Sequence, residues 1–268
     1  MLRNMQELKS YTIAATDGDV GELTDAYFDD QSWVVRYMVI KTGAWLTSRN
    51  VLISPYAVQH ADWASKRLSL SLTRDQLKNS PDIDTKKPVS RQHEMEYADY
   101  YAYPYYWGTG GYWGDGLYLP TVPIRSEAAE LHVQAERERS QREDDPHLRS
   151  CAAVAGYHVH ASDGDIGHVQ GMLVDEVTWA IRYLVINTSN WWMGNKVLIP
   201  PEWITNVNWA DSSVTVNLTR ATVRNSPHYE SSADLNRSRE QELYSHYGRS
   251  TYWEREHARE VVPAGFLD

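Results

Sequence analysis

The sequence predicts an all-β protein in which one small domain, a β-barrel or β-sandwich, occurs twice in tandem. Three observations support this prediction. First, residues 11–84 (the first copy) align without a gap to residues 157–230 (the second copy), with roughly a third of the positions identical. Second, each copy contains short runs that are rich in β-branched and aromatic residues. Third, turn sequences containing Gly, Asp, Asn or Pro separate these runs at close spacing.

The repeat is visible as a series of motifs that recur in the same order at an offset of about 146 residues. The Asp-Gly-Asp-Val-Gly motif at residues 17–21 returns as Asp-Gly-Asp-Ile-Gly at residues 163–167. The other matches are Trp33 with Trp179, Arg36-Tyr37 with Arg182-Tyr183, Val51-Leu52-Ile53 with Val197-Leu198-Ile199, Trp63 with Trp209, and Asn79-Ser80-Pro81 with Asn225-Ser226-Pro227. Beyond this core, inserting one residue aligns Tyr97 with Tyr244 and Tyr100 with Tyr247.

The first half of each copy reads as three strands joined by tight turns. In the first copy, residues 11–15 form a short strand that ends at Asp17-Gly18-Asp19, where glycine permits a positive φ. Residues 20–28 predict a second strand, and the polar residues 29–32 a second turn. Residues 33–40 are rich in Val, Ile, Tyr and Trp, which indicates a central strand.

The second half of each copy predicts three more strands and a helical turn. Residues 51–53 are apolar and end at Pro55, while residues 58–63 and 67–72 form a last pair in which leucines alternate with serines. Residues 73–77 resemble an N-capped helical turn that ends near Pro81. Short strands of this number favour a closed or double-layered sheet, because closure removes exposed edges.

We expect four segments along the chain. They are a first repeat at 1–90, an aromatic tail and charged linker at 91–150, a second repeat at 151–230, and a polar and aromatic tail at 231–268. Within the linker, the glycines of residues 108–116 predict a flexible start, and residues 126–144 predict a polar helix. The polar composition beyond residue 230 favours partial disorder.

Composition and charge restrict the class of protein. The formal net charge is -10, which argues against nucleic acid as a general partner, since such binding relies on Lys and Arg. Cys151 is the single cysteine, so the chain forms no internal disulfide, and we expect this cysteine to be exposed and incidental. There is neither an apolar leader nor a run of about 18 apolar residues, so we expect a cytoplasmic protein without a membrane span.

The strand order and several motifs resemble the PRC-barrel family, which is named after the β-barrel domain of the photosynthetic reaction centre H subunit. The resemblance rests on residues 17–21, 33–37, 51–55 and 75–81 and their counterparts in the second copy. It implies two tandem PRC-type barrels joined by a polar, partly helical linker, in a bacterial protein. It also implies a non-catalytic barrel used for protein contacts, and it transfers no defined functional residues.

The function expected from this resemblance is a protein-interaction or scaffolding module, with a link to stress physiology by family analogy alone. We expect a protein partner or self-association, no enzymatic activity and no cofactor. The aromatic tails are the candidate interaction surface, because Tyr and Trp are enriched at interfaces. The candidate residues are Tyr97, Tyr100, Tyr103, Tyr105, Tyr106 and Trp107 after the first copy, and Tyr244, Tyr247, Tyr252 and Trp253 after the second.

Two alternative functions stay open. One is an RNA- or ribosome-associated factor, as in the ribosome-maturation branch of the family, which the acidic charge disfavours. The other is a carrier of a small ligand or metal, for which His158, His160 and His168 are weak candidate ligands across one hairpin. The aspartates of the 17–21 and 163–167 motifs are better explained as turn residues than as calcium ligands.

Overall fold

The structure is a computed structural model of the chain. It describes residues 1–46, 49–81, 91–103, 147–188 and 195–261. The predicted linker helix at 126–144 and the glycine-rich stretch at 108–116 lie outside the described residues.

The first copy contains every strand that the sequence predicts, with small shifts at the strand ends, and one further strand before them. Its strands are β1 (Leu2–Asn4), β2 (Thr12–Ala15), β3 (Gly18–Asp29), β4 (Val34–Thr42), β5 (Asn50–Ile53), β6 (Val58–Asp62) and β7 (Arg67–Leu70). Its helices are α1 (Met5–Leu8), α2 (Arg74–Lys78) and α3 (Arg91–Tyr101), with 3-10 turns at Ala44–Leu46 and Pro55–Ala57. Thr73 caps α2 as expected, its side chain accepting from the Gln76 N–H.

The second copy repeats this order. Its strands are β8 (Leu148–Ser150), β9 (His158–Ala161), β10 (Gly164–Asp175), β11 (Ile181–Asn187), β12 (Lys196–Ile199), β13 (Ile204–Asn208) and β14 (Ser213–Val216). Its helices are α4 (Cys151–Val154), α5 (Arg220–Arg224), α6 (Arg237–His246) and α7 (Tyr252–Val261), with 3-10 turns at Pro201–Trp203 and Ser232–Asp234. Residues 231–261, which lie in the region for which composition favoured partial disorder, are therefore largely helical.

The fold is β-rich, with two seven-stranded sheets of the same strand order. One sheet runs β5-β4-β3-β2-β7-β6, and the other runs β12-β11-β10-β9-β14-β13. In each sheet the second strand of the copy pairs in parallel with the last, β2 with β7 and β9 with β14. The seventh strand comes from elsewhere in the chain, because β8 pairs with β3 and β1 pairs with β10.

The chain divides into two compact units whose boundary differs from that of the two copies. The first unit is Met1–Ala155 with Gly171–Tyr183, and the second unit is Gly156–Gln170 with Leu184–Asp268. The exchanged strands explain this division. Both β1 and β8, and the strand segments with which they pair, lie inside the first unit.

The two exchanged strands make the same contacts. Leu2 lies opposite Asp175 and Leu148 opposite Asp29, so one pairing reproduces the other at an offset of 146 residues. The flanking ion pairs also correspond, with 2.8 Å between the Arg3 Nε and a carboxylate oxygen of Glu176. The Arg149–Asp30 pair has the same 2.8 Å distance. Such reciprocal contacts are typical of a two-fold interface between identical subunits.

A second reciprocal contact in the first unit joins the turns before β4 and β11. The Val35 N–H donates to the Trp179 carbonyl at 2.9 Å, and the Ile181 N–H donates to the Trp33 carbonyl at 2.7 Å. Trp33 and Trp179 have φ values of 55° and 60°. A positive φ costs about 1 kcal/mol or more for a bulky residue, and the exchanged hydrogen bonds help to offset this strain at both positions.

The Asp-Gly-Asp motifs join each β-hairpin to the helix that closes its copy. The Asp17 carboxylate accepts from the Arg74 N–H at 2.8 Å, and the Asp163 carboxylate accepts from the Arg220 N–H at 2.7 Å. The last glycine of each motif permits a close approach of neighbouring strands. A Cβ at Gly167 would lie 2.0 Å from the Asn187 carbonyl oxygen, and one at Gly21 would lie 2.0 Å from that of Lys41.

We predict that Gly167→Ala lowers the free energy of unfolding by about 3 kcal/mol, because backbone atoms of β11 must move to admit the methyl group. Gly156→Ala is the matched control, since Gly156 also has a positive φ but has open space around its Cβ position. It should cost about 1 kcal/mol, from backbone strain alone. Urea unfolding followed by circular dichroism measures both; equal losses would show that the close approach is unimportant.

Candidate binding groove in the second unit

Helices α3 and α6 carry three of the aromatic residues that the sequence singles out, Tyr97, Tyr100 and Tyr244, and the two helices occupy equivalent places in the two copies. The Tyr100 hydroxyl donates to the Gln76 carbonyl at 2.9 Å, and the His246 Nε2 lies 2.9 Å from the Thr222 carbonyl oxygen. Both pairs keep the 146-residue offset. The inserted residue that aligned Tyr100 with Tyr247 is therefore wrong for these helices, and Tyr100 corresponds to His246.

The ends of α3 and α6 confirm the ungapped alignment. The Tyr103 N–H donates to the Ala98 carbonyl, and the Arg249 N–H donates to the Tyr244 carbonyl. The residue before each donor, Ala102 or Gly248, has a positive φ of 54° or 62°, as is usual where a helix ends. Among the described residues, the correspondence thus begins at residues 2 and 148 and continues to residues 103 and 249, well beyond the recognisable core of the repeat.

Tyr97 on α3 is almost fully buried in the first unit. Its ring packs against Tyr37, with 6.1 Å between ring centroids, in a cluster that includes Leu52 and Leu148. Its hydroxyl donates to the Pro81 carbonyl at 2.9 Å. Tyr97 therefore fills the space between the sheet and the segment that follows α2.

Leu243 on α6 is the residue of the second copy that corresponds to Tyr97. Leu198 corresponds to Leu52, and Pro227 corresponds to Pro81. Leucine is shorter than tyrosine and has no hydroxyl to reach the proline carbonyl. A half-open groove of about 340 Å³ lies beside these residues in the second unit. We call it the Leu243 groove; it is lined by Leu198, Pro227, His228, Tyr229, Glu230, Ser231, Leu235, Arg239, Glu242 and Leu243.

The Leu243 groove has an apolar floor and a polar rim. Leu198 and Leu243 are buried, whereas His228, Arg239 and Glu242 are exposed. The segment along one side is fixed to the sheet, since the Tyr229 N–H donates to the Lys196 carbonyl at 2.9 Å. On the other side, the Asn236 side chain caps α6 by accepting from the Arg239 N–H. The groove is therefore held by ordered backbone on both sides.

The other aromatic candidates mostly face inward. Tyr244 and Tyr252 are buried, while Tyr103, Tyr247 and Trp253 are partly buried. Tyr244 and Tyr247 pack on Trp203, with centroid distances of 5.5 and 4.6 Å. Tyr100 is 39% exposed, whereas Tyr105, Tyr106 and Trp107 lie outside the described residues. Among the described candidates, the tails thus serve mainly to pack each copy.

The three candidate metal ligands do not converge on one point. His158 lies opposite His168 on the β9–β10 hairpin, but His160 pairs with Asp165, with 2.6 Å between its Nδ1 and a carboxylate oxygen. Across the part of the chain that the structure describes, no three His, Cys, Asp or Glu side chains form a group that could hold a metal ion.

Two other residues named in the sequence analysis, Cys151 and Arg36, are buried. Cys151, which we expected to be exposed, is buried at the start of α4, and burial raises the pKa of its thiol well above the ordinary value. A thiol of this kind is a poor nucleophile, because the thiolate is the reactive form. Arg36, which recurs as Arg182 in the repeat, is also buried, and its guanidinium donates to the Ser32 hydroxyl at 3.0 Å.

The sequence matches no family model, and no curated protein is significantly similar to it. Of the helices that the structure describes, none combines the length and apolarity needed to cross a membrane. The Leu243 groove was missed at the level of sequence because the inserted residue paired Tyr97 with Tyr244. An ungapped alignment would have revealed the change from tyrosine to leucine.

We predict that Tyr247 makes the protein sensitive to alkali. Burial raises the pKa of this phenol from 10.0 to about 12. Between these values the unfolded chain loses a proton that the folded chain keeps, so the free energy of unfolding falls as pH rises. In Tyr247→Phe this fall should be shallower by up to about 1.4 kcal/mol per pH unit.

The measurement is urea unfolding at several pH values between the two pKa values. Trp253→Phe is the control, because it alters a ring of the same tail without removing a phenol. The control should keep the pH dependence of the unaltered chain. If the free energy of unfolding of Tyr247→Phe falls with pH as steeply as that of the unaltered chain, Tyr247 is not the source of the sensitivity to alkali.

Proposed function

We propose that the chain is a non-catalytic protein-binding module built on two tandem PRC-type β-barrels, and that the Leu243 groove is its docking site. The observation that carries this proposal is the difference between the two copies at one position. In the first copy, Tyr97 fills this place. In the second copy, Leu243 occupies the equivalent position, and an open groove lies beside it. The second copy, with a leucine in place of this tyrosine, thus offers a partner an open groove beside the position.

The occupant we propose is an aromatic side chain, tyrosine above all, on a segment of a protein partner. In the first copy this place accommodates a tyrosine ring against Leu52, with a hydrogen bond to the Pro81 carbonyl. The second copy keeps both features as Leu198 and Pro227. A partner's tyrosine would bury its ring on the apolar floor, which aromatic anchors of protein interfaces commonly do.

The rim of the groove supports a protein segment rather than a small aromatic molecule. Arg239 supplies hydrogen-bond donors, and Glu230 and Glu242 supply acceptors. Peptide groups on either side of an aromatic anchor carry both donors and acceptors. The mixed charge of the rim also matches the backbone of a peptide better than it matches a phosphate or a polyanion.

Two further points support a binding role without catalysis. The PRC-barrel resemblance implies protein contacts, and the buried Cys151, with its raised thiol pKa, is unsuited to nucleophilic chemistry. The net charge of -10 disfavours the RNA-associated alternative.

We predict that p-cresol, a surrogate for the tyrosine side chain, shifts the backbone amide signals of Leu198, Tyr229 and Leu243 in a two-dimensional NMR titration. A short peptide with a central tyrosine should shift the same signals at a concentration at least about tenfold lower, because its backbone also contacts the rim. Leu243→Tyr should abolish both effects, since its ring would occupy the groove as that of Tyr97 does in the first copy.

Ser245→Tyr is the matched control, because it adds a tyrosine at an exposed position of the same helix outside the groove. It should bind both probes like the unaltered chain. A peptide that binds no more tightly than p-cresol would assign the groove to a small ligand instead. Binding that survives Leu243→Tyr would place the site elsewhere.

A further inference from the structure

In the first unit, the pairing of β1 with β10 and the pairing of β8 with β3 are nearly equivalent in chemistry. Each exchanged strand presents a leucine and an arginine, and each arginine meets a carboxylate, Glu176 for Arg3 and Asp30 for Arg149. On these contacts alone, β1 could pair equally well with β3 of another molecule as with β10 of its own chain. Something else must select the opposite copy.

One position in the exchanged surface breaks the equivalence. Asp25 on β3 corresponds to Gly171 on β10 at the 146-residue offset. Asp25 accepts from the Ser150 hydroxyl at 2.5 Å and from the Ala152 N–H at 3.0 Å. It therefore caps the start of α4, the helix that follows the exchanged strand β8.

Gly171 meets the other exchanged segment, and there is little room for a side chain. A Cβ at this position would lie 3.3 Å from the Asn4 Oδ1 and 3.4 Å from the Gln6 Cγ. The Asn4 Oδ1 already accepts from the Gln6 N–H at 3.0 Å, so Asn4 caps its own helix α1. An aspartate facing it would bring two acceptors together, or would oblige Asn4 to turn its amide and give up this cap.

We infer that this pair of positions makes the exchanged surface selective for the opposite copy of the repeat. The segment that begins with β1 fits the surface with Gly171 better than the surface with Asp25. The segment that begins with β8 gains two hydrogen bonds only on the surface with Asp25. Pairing of like copies from two molecules would oppose Asn4 to Asp25 and leave Ser150 facing a glycine. The chain thereby closes on itself rather than linking to further chains.

The test uses the full chain with a site for a specific protease inserted between residues 104 and 146. After cleavage, the two halves are unfolded together in urea, refolded and weighed by native mass spectrometry. We expect one species, in which each first half is bound to one second half. Separate halves, or like and unlike pairs in the statistical ratio, would overturn the inference.

The double variant Asp25→Gly with Gly171→Asp should reverse the selectivity. Each half would then refold with its own kind, either within one half or as a pair of identical halves, and unlike pairs should fall at least tenfold. Asp19→Gly, which removes a carboxylate from the same strand outside this surface, should still give unlike pairs. A double variant that also gives only unlike pairs would overturn the inference.

Asp25→Gly alone keeps the test decisive where the double variant does not fold. This change removes the carboxylate that would oppose Asn4, so that β1 of one first half can pair with β3 of another. Pairs of identical first halves should then appear beside the unlike pairs. A spectrum that matches that of the unaltered chain would count against the selectivity.

Discussion

The reciprocal main-chain pairing within the first unit is the constraint on which much of the remaining structure depends. Val35 and Ile181 each donate to the carbonyl of a strained tryptophan in the other copy. In addition, β1 pairs with β10 and β8 pairs with β3, so each strand extends the sheet of the other copy. The exchanged strand β8 also supports helix α3. Leu148 belongs to the cluster around Tyr97, and the Nε2 of His147 lies 2.9 Å from a carboxylate oxygen of buried Glu94. The start of the second copy thus helps to position the end of the first.

The repeated sequence explains how the two copies can share one strand order and still differ at single positions. Turn aspartates, close-approach glycines and helix ends correspond throughout at one offset, because the backbone that they specify is the same. The two copies differ in sequence at positions where only one of them needs a particular side chain. Asp25 with Gly171 gives the exchange its direction, and Tyr97 with Leu243 separates a filled site from an open one. In each of these pairs, one copy has a side chain that makes hydrogen bonds, and the other copy has a smaller residue without them.

The strands and turns could be predicted from the sequence because their signals are local. Alternating leucines, β-branched runs and the residues 17–21 motif act within a few residues of chain. The exchange could not be predicted, because β1 and β8 are three residues long and their partners lie far away in sequence. Helix α6 has a polar sequence that buries little beyond Glu240, Leu243 and Tyr244, so composition alone favoured disorder. Cys151 was expected to be exposed because the linker before it is polar, but it begins α4 and is buried beside Leu23, Ala26 and Met172. The groove was hidden by a single inserted residue in the alignment.

The most direct test of this account is native-state hydrogen exchange at the amides of Val35 and Ile181. Each amide donates across the reciprocal contact, so its protection reports that contact. The account predicts that both amides exchange at the same rate, and only through opening of the whole first unit. If either amide exchanges as fast as those of the exposed turns while the strands of its own copy stay protected, the two copies are not held together in the way described here.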